Sequence, residues 1–258
     1  MNQQSTFSKV AKEMFLVQLG WAGGFLGIVL VINIVKSFIT GYQGSDVEGY
    51  FSTIFIAGNI FMIVLGILAI NFLPHYVGMG VTRKDYFIGA FLASLGITIF
   101  IPIMTIIISR LEQILFNMID ISYKVQTINE VNIKDNIIGD IIQSIIISPH
   151  VSPQDNWLLA AIILGINIFI YYLLGWLISV SFYRLDVISG IIFIFISVVL
   201  KMLKDTFLRI ALDLPVVGWF TSLENFLPSG IAWLGILLVI IATVRLIRKL
   251  TSRVPIKI

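Results

Sequence analysis

The chain has 258 residues, of which 58% are hydrophobic and 12% charged, with a mean hydropathy of +1.01, whereas soluble domains run near a quarter charged. That balance excludes an ordinary soluble domain and places the chain in a membrane. The net charge of +3 does not make a nucleic-acid surface, because the basic residues are scattered along the flanks of apolar runs, and the absence of cysteine excludes disulfides, thiolate metal sites and thiol nucleophiles together.

At the start of the chain Phe7, Val10, Ala11 and Met14 share one helical face, and Lys9, Lys12 and Glu13 share the other. This pattern predicts a short amphipathic helix along the inner leaflet, feeding an elbow into the first span. The segment that follows Lys9 and Lys12 is too long for a signal h-region and has no bounding small-residue cleavage pattern, so it is read as retained.

A helix crossing the hydrocarbon core needs about 20 mostly apolar residues. Six runs qualify, near residues 17–39, 51–73, 87–108, 157–182, 187–208 and 230–247. The predicted fold is therefore an all-α integral membrane protein with six transmembrane helices in a single domain. The third run contains Pro102, which predicts a kink. The fifth is less clean, because Lys201, Lys204 and Asp205 follow Leu200; snorkelling or pairing is the expected role of Lys201, Lys204 and Arg209.

Orientation follows from lysine and arginine. With both termini cytoplasmic, the inner segments hold Lys9, Lys12, Arg83, Lys84, Arg184, Arg245, Arg248, Lys249, Arg253 and Lys257. The outer segments hold fewer basic residues over more chain: Arg110, Lys124, Lys134, Lys201, Lys204 and Arg209. The positive-inside rule favours this topology. The inner links are then short and the outer ones long, with elaborations over residues 109–156 and 209–229.

Within the first elaboration Ile137, Ile138, Ile141, Ile142, Ile145 and Ile146 recur at helical spacing. They predict an amphipathic helix over residues 136–148, on the outer surface or over the bundle mouth. The second elaboration is apolar but broken by Pro215, Gly218 and Pro228. It reads either as a re-entrant hairpin or as an interfacial loop anchored by Trp219 and Phe220.

Apart from Lys36, placed to snorkel at the outer boundary of the first run, the polar residues within the first four spans are neutral, among them Asn33, Asn59 and Asn167. Their absence of charge speaks against an ion-coupled carrier. Each asparagine is expected to make an interhelical hydrogen bond, with lining of a transport pathway as the alternative. No GxxxxGK[ST], HExxH or GxSxG occurs, so no catalytic residue, metal ligand or cofactor site is assigned to this chain.

The remaining feature is the inner link, with its stretch "GMGVTRKDYFIGA" from Gly78 to Ala90. Six spans, an amphipathic N-terminal helix, this short basic loop after the second span and an outer elaboration before the sixth together resemble the permease subunits of the ABC type-2 exporter family. The loop looks like the glycine-, threonine- and arginine-bearing segment of such permeases. The resemblance implies a coupling helix: Gly80 permits a tight turn, Val81 packs into a cleft on a separate ATP-binding subunit, and Thr82 caps the next helix. Arg83, Lys84 and Asp85 would pair with charges on that subunit, and Tyr86 and Phe87 would re-enter the bilayer.

The same resemblance implies a separately encoded ABC ATPase dimer, carrying the ATP and Mg, and a second permease chain, like or unlike this one. It also implies multi-pass residence among the lipids of a bacterial cell membrane and export of a peptide, drug or lipid-like cargo. The outer link before the fourth span is longer than the minimal family pattern and leaves the cargo open. The competing expectation is a non-transporting membrane immunity or assembly factor, with the same spans and no ATPase.

Overall fold

The structure is a computed structural model, and it describes residues 6–42, 49–118, 148–149, 151–216, 223 and 226–252. The regular secondary structure of the described residues is helical, with no strand among them. The helices are α1 (Thr6–Tyr42), α2 (Tyr50–Ala69), α3 (Phe72–Gly78), α4 (Arg83–Met118), α5 (Trp157–Arg184), α6 (Val187–Ala211) and α7 (Ser229–Thr251). Six helical stretches among the described residues are long and apolar enough to cross a membrane, α2 and α3 counting as one. Each matches a predicted run, and together they make a multi-pass membrane protein. Large apolar side chains such as Ile28, Ile60, Ile188 and Phe195 are more than 60% exposed, as lipid contact requires and water would penalise.

Two compact units are distinguishable within the chain. One holds α1, α2 as far as Phe61, α4 from Ile88 onward and α5 as far as Phe169. The other holds the rest of α2, α3, the first turn of α4, the rest of α5, and α6 and α7.

In the first unit the N-terminal segment departs from expectation. Thr6–Tyr42 is one helix of 37 residues with no elbow, about 55 Å long at 1.5 Å per residue. No proline interrupts it. The apolar face that reads as a membrane-surface stripe is instead packed on protein: Val10 and Met14 are each 1% exposed. A Cβ on Gly89 of α4 would stand 2.7 Å from the Val10 side chain, and one on Gly96 would stand 2.8 Å from the Phe15 ring. The glycines let α1 and α4 approach closely, so that this stripe is satisfied by a helix. On the opposite face Lys9 and Glu13 form an exposed i,i+4 pair at 4.0 Å.

The third predicted span also runs longer than expected. Helix α4 passes through Pro102 and continues to Met118, so the first outer elaboration begins as helix. The reason is burial: Ser109, Glu112 and Phe116 face protein at 4% exposure or less. The predicted helix over residues 136–148 lies outside the described residues except for Ser148. Most of the 209–229 elaboration is likewise outside them; in the described part α6 ends at Ala211, and Asp213 adopts a positive φ of 52°.

In the second unit α2 and α5 touch backbone to backbone. A Cβ on Gly66 would lie 2.1 Å from the Tyr172 carbonyl oxygen, and one on Gly175 would lie 2.2 Å from that of Ile63. Small residues are what permit such contact between membrane helices. Helices α5 and α6 are joined by a tight turn, with Asp186 at the N-cap of α6. Arg184 donates to the carbonyl of Lys249 on α7 at 3.0 Å. Helix α6 runs along α7, where Gly235 accommodates the Phe207 ring.

Candidate functional site

The six residues singled out between the second and third spans form one compact hinge. Helix α3 stops at Gly78, and Gly80 takes a φ of +86°. That left-handed conformation is open to glycine and strained for other residues. The Gly80 N–H donates to the Val77 carbonyl at 2.9 Å and the Val81 N–H to the Tyr76 carbonyl at 3.0 Å. These two bonds are the paired closure of a Schellman motif, with Gly80 at C′.

The next helix starts at once. Thr82 is its N-cap: its hydroxyl accepts the Asp85 N–H at 3.1 Å and donates to the Asp85 carboxylate at 2.7 Å. Its carbonyl accepts the Tyr86 N–H at 2.9 Å. A helix stop and a helix start are thus fused with only Met79 to Thr82 between them. Carbonyls at the end of α3 and the Asp85 amide at the start of α4 thereby find partners, which stiffens the loop. Met79, Gly80, Thr82 and Lys84 are exposed, while Val81, Arg83 and Asp85 are half-buried.

Behind the hinge the aromatic residues hold it in place. Tyr86 is fully buried and donates its hydroxyl to the Ala69 carbonyl at the end of α2. Its ring also lies 6.0 Å from that of Tyr76 on α3. Phe87 is packed against Trp176, with ring centroids 5.4 Å apart, and carries the Arg248 guanidinium 5.9 Å above its ring. Such a distance is within cation–π range.

The asparagines sit in the other unit, in two separate arrangements. Asn167 donates to Asn59 at 2.7 Å, and both are buried. Asn33 accepts from the Thr53 hydroxyl at 2.9 Å and donates to Glu112 at 2.5 Å. Each of the three therefore makes an interhelical hydrogen bond. Glu112 lies beyond the predicted third run, and the extension of α4 past residue 108 brings it to Asn33.

A second group of charges is buried in α6. Lys201 reaches the Asp205 carboxylate at 2.5 Å, and Lys204 pairs with the same carboxylate. Lys204 is fully buried, and Lys201 and Asp205 are 3% and 6% exposed. Ser148 donates a hydrogen bond to Asp205 at 3.3 Å. Of the two expected roles, pairing describes Lys201 and Lys204, since neither ammonium snorkels to a surface. The i,i+4 spacing of Lys201 and Asp205 was the sequence signal.

Comparison of the chain with protein-family models, with curated proteins and with solved structures finds no match.

Proposed function

We propose that this protein is the membrane-spanning permease subunit of an ATP-driven exporter of the ABC type-2 kind, with its hinge at Gly80 to Asp85 as the docking element for a separate ATPase subunit. The observation that carries the reading is the double cap. A loop that transmits force must not absorb it, and here Gly80 closes one helix while Thr82 opens the next, with an exposed Lys84 and a half-buried Arg83 on the first turn. In this reading both termini and the hinge face the cytoplasm of a bacterial cell, as the distribution of lysine and arginine favours. ATP closes a pair of ATPase subunits, the docked hinges move with them, and the spans of two permease chains shift to release cargo outward. This chain contributes the lever, and the nucleotide chemistry belongs to the partner.

The experiment is capture of the tagged full-length chain from its native membrane in mild detergent, with the retained proteins identified by mass spectrometry. Arg83→Glu with Lys84→Glu is the comparison, because neither side chain takes part in the caps. Retention of an ATPase with a nucleotide-binding P-loop by the wild type, and its loss from the variant, supports the reading. No ATPase with either chain would replace it with the immunity or assembly-factor reading, in which the hinge is an ordinary inner turn.

A further inference from the structure

Beside the hinge lies a cavity of about 310 Å³ lined by Arg83, Lys84, Phe87, Arg248, Thr251 and Ser252. Its size is that of a small ligand pocket. Three of the lining side chains are cations, from the first turn of α4 and the last turn of α7, and among the described residues no carboxylate lines it. Asp85, on the same turn as Arg83 and Lys84, is hydrogen-bonded by Thr82 and is not part of the wall. Among the described residues none of the three cations is in an ion pair.

Two polar atoms in the wall have no use within the described protein. Thr251 is 1% exposed, and its Oγ1 has no hydrogen-bond partner. Arg83 Nε is likewise buried and without a partner. Buried donors left unsatisfied are costly, and three like charges around one cavity repel each other unless an anion joins them. Arg248 lies over the Phe87 ring, a cation–π contact that favours this position of its guanidinium beside the cavity. The wall offers guanidinium forks, an ammonium and the unpartnered Thr251 hydroxyl, a donor set that suits a phosphate, while the Ser252 hydroxyl donates to the Lys249 carbonyl.

We propose that this cavity is a binding site for a phosphate-class oxyanion, supplied by the headgroup of an anionic membrane lipid. The lipid source follows from position: the cavity opens where two membrane-crossing helices, α4 and α7, end, so an acyl chain can lie along their apolar flanks while its phosphate enters the wall. This site goes beyond the docking role of the hinge: it shares Arg83 and Lys84 with that reading and adds Arg248 and Thr251, which have no part in it, so Arg248→Gln tests the site apart from docking.

The test uses the full-length chain in neutral detergent, with phosphatidylglycerol, phosphatidylcholine and inorganic phosphate as probes. Lipid retention is read by native mass spectrometry and stabilisation by the melting temperature. The wild type should retain phosphatidylglycerol in preference to phosphatidylcholine. Arg83→Gln and Arg248→Gln should each weaken that retention about ten-fold, the loss of one charge-assisted hydrogen bond. Lys249→Gln, with the same change of charge outside the cavity, should leave it unchanged. If Arg248→Gln does not fold, the exposed Lys84→Gln takes its place, with a loss of several-fold expected.

Stabilisation by inorganic phosphate alone, absent from the Arg248 or Lys84 variant, would keep the oxyanion site and assign it a free phosphate. Retention of phosphatidylglycerol that is equal in wild type and cavity variants would overturn the site. So would a failure to prefer phosphatidylglycerol together with no response to phosphate.

Discussion

Glu112 of α4 accepts the backbone N–H of Tyr50, the first residue of α2, at 2.9 Å. A carboxylate from one membrane helix thereby caps the start of another, where the helix dipole favours negative charge. Its second oxygen takes the Asn33 amide, and the Tyr50 hydroxyl donates to the Leu26 carbonyl at 2.9 Å. Three helices of the first unit are joined through this group. Glu112→Ala should cost about 1–3 kcal/mol for each buried donor left without a partner. Thermal unfolding in detergent would show it, and the loss should be smaller in an Asn33→Leu background, where one of those donors is already gone. Equal losses in the two backgrounds would mean that the Asn33 contact contributes nothing.

The buried charges of α6 predict an asymmetry. Asp205→Asn removes the carboxylate that Lys201 and Lys204 share, and breaking a buried ion pair typically costs about 3–5 kcal/mol. Replacing all three together, as Lys201→Met, Lys204→Met and Asp205→Leu, should cost much less, because no uncompensated charge is left behind. The check is the fraction of each variant that elutes as folded protein after detergent extraction and heating. A triple variant as unstable as Asp205→Asn would point to a role for these charges other than mutual compensation.

Glycine positions separate into two classes that one substitution can tell apart. At Gly66 and Gly175 a Cβ would collide with backbone, which cannot give way, so Ala at either should destabilise by about 1–3 kcal/mol or more. At Gly20 and Gly24 of α1 a Cβ meets nothing within 4 Å among the described residues, so Ala there should leave the folded chain's melting temperature unchanged. If a second copy seats on that flank of α1, Gly24→Leu should reduce cross-linking between chains without lowering the melting temperature. Cross-linking that is unaffected would exclude this flank as the interface.

The hinge offers a test that needs no knowledge of cargo. Gly80→Leu forces a side chain into the left-handed region, at a cost of about 1–2 kcal/mol, and Thr82→Ala removes an N-cap worth about 1 kcal/mol. Hydrogen exchange at the amides of Val81 and Asp85, which these caps bind, should speed up roughly five-fold or more. The amides of α5 should not change. Unaltered exchange at Val81 and Asp85 would show that the stiffness of the loop does not come from its two caps.

What the sequence determined by itself was the class of the protein and the number and place of its spans. Twenty-residue apolar runs have one stable form in a bilayer, where every backbone group must be bonded within its own helix. The hinge was legible for a similar reason: Gly80 and Thr82 act through local backbone geometry, and both the left-handed turn and the N-cap are written in adjacent residues. Tertiary structure decided whatever depended on partners distant in the chain. The N-terminal stripe of Val10 and Met14 looks the same in sequence whether it meets lipid or α4, and only the approach of Gly89 selects the helix. Glu112, read as a loop residue, became a buried cap because α4 ran ten residues past its apolar run, with Asn33 and Tyr50 placed to receive it. Arg83 and Thr251 share a cavity although most of the chain separates them. Local sequence sets helices and caps, but the burial of a charge or the filling of a cavity is a property of which helix faces which, and that is decided only when they meet.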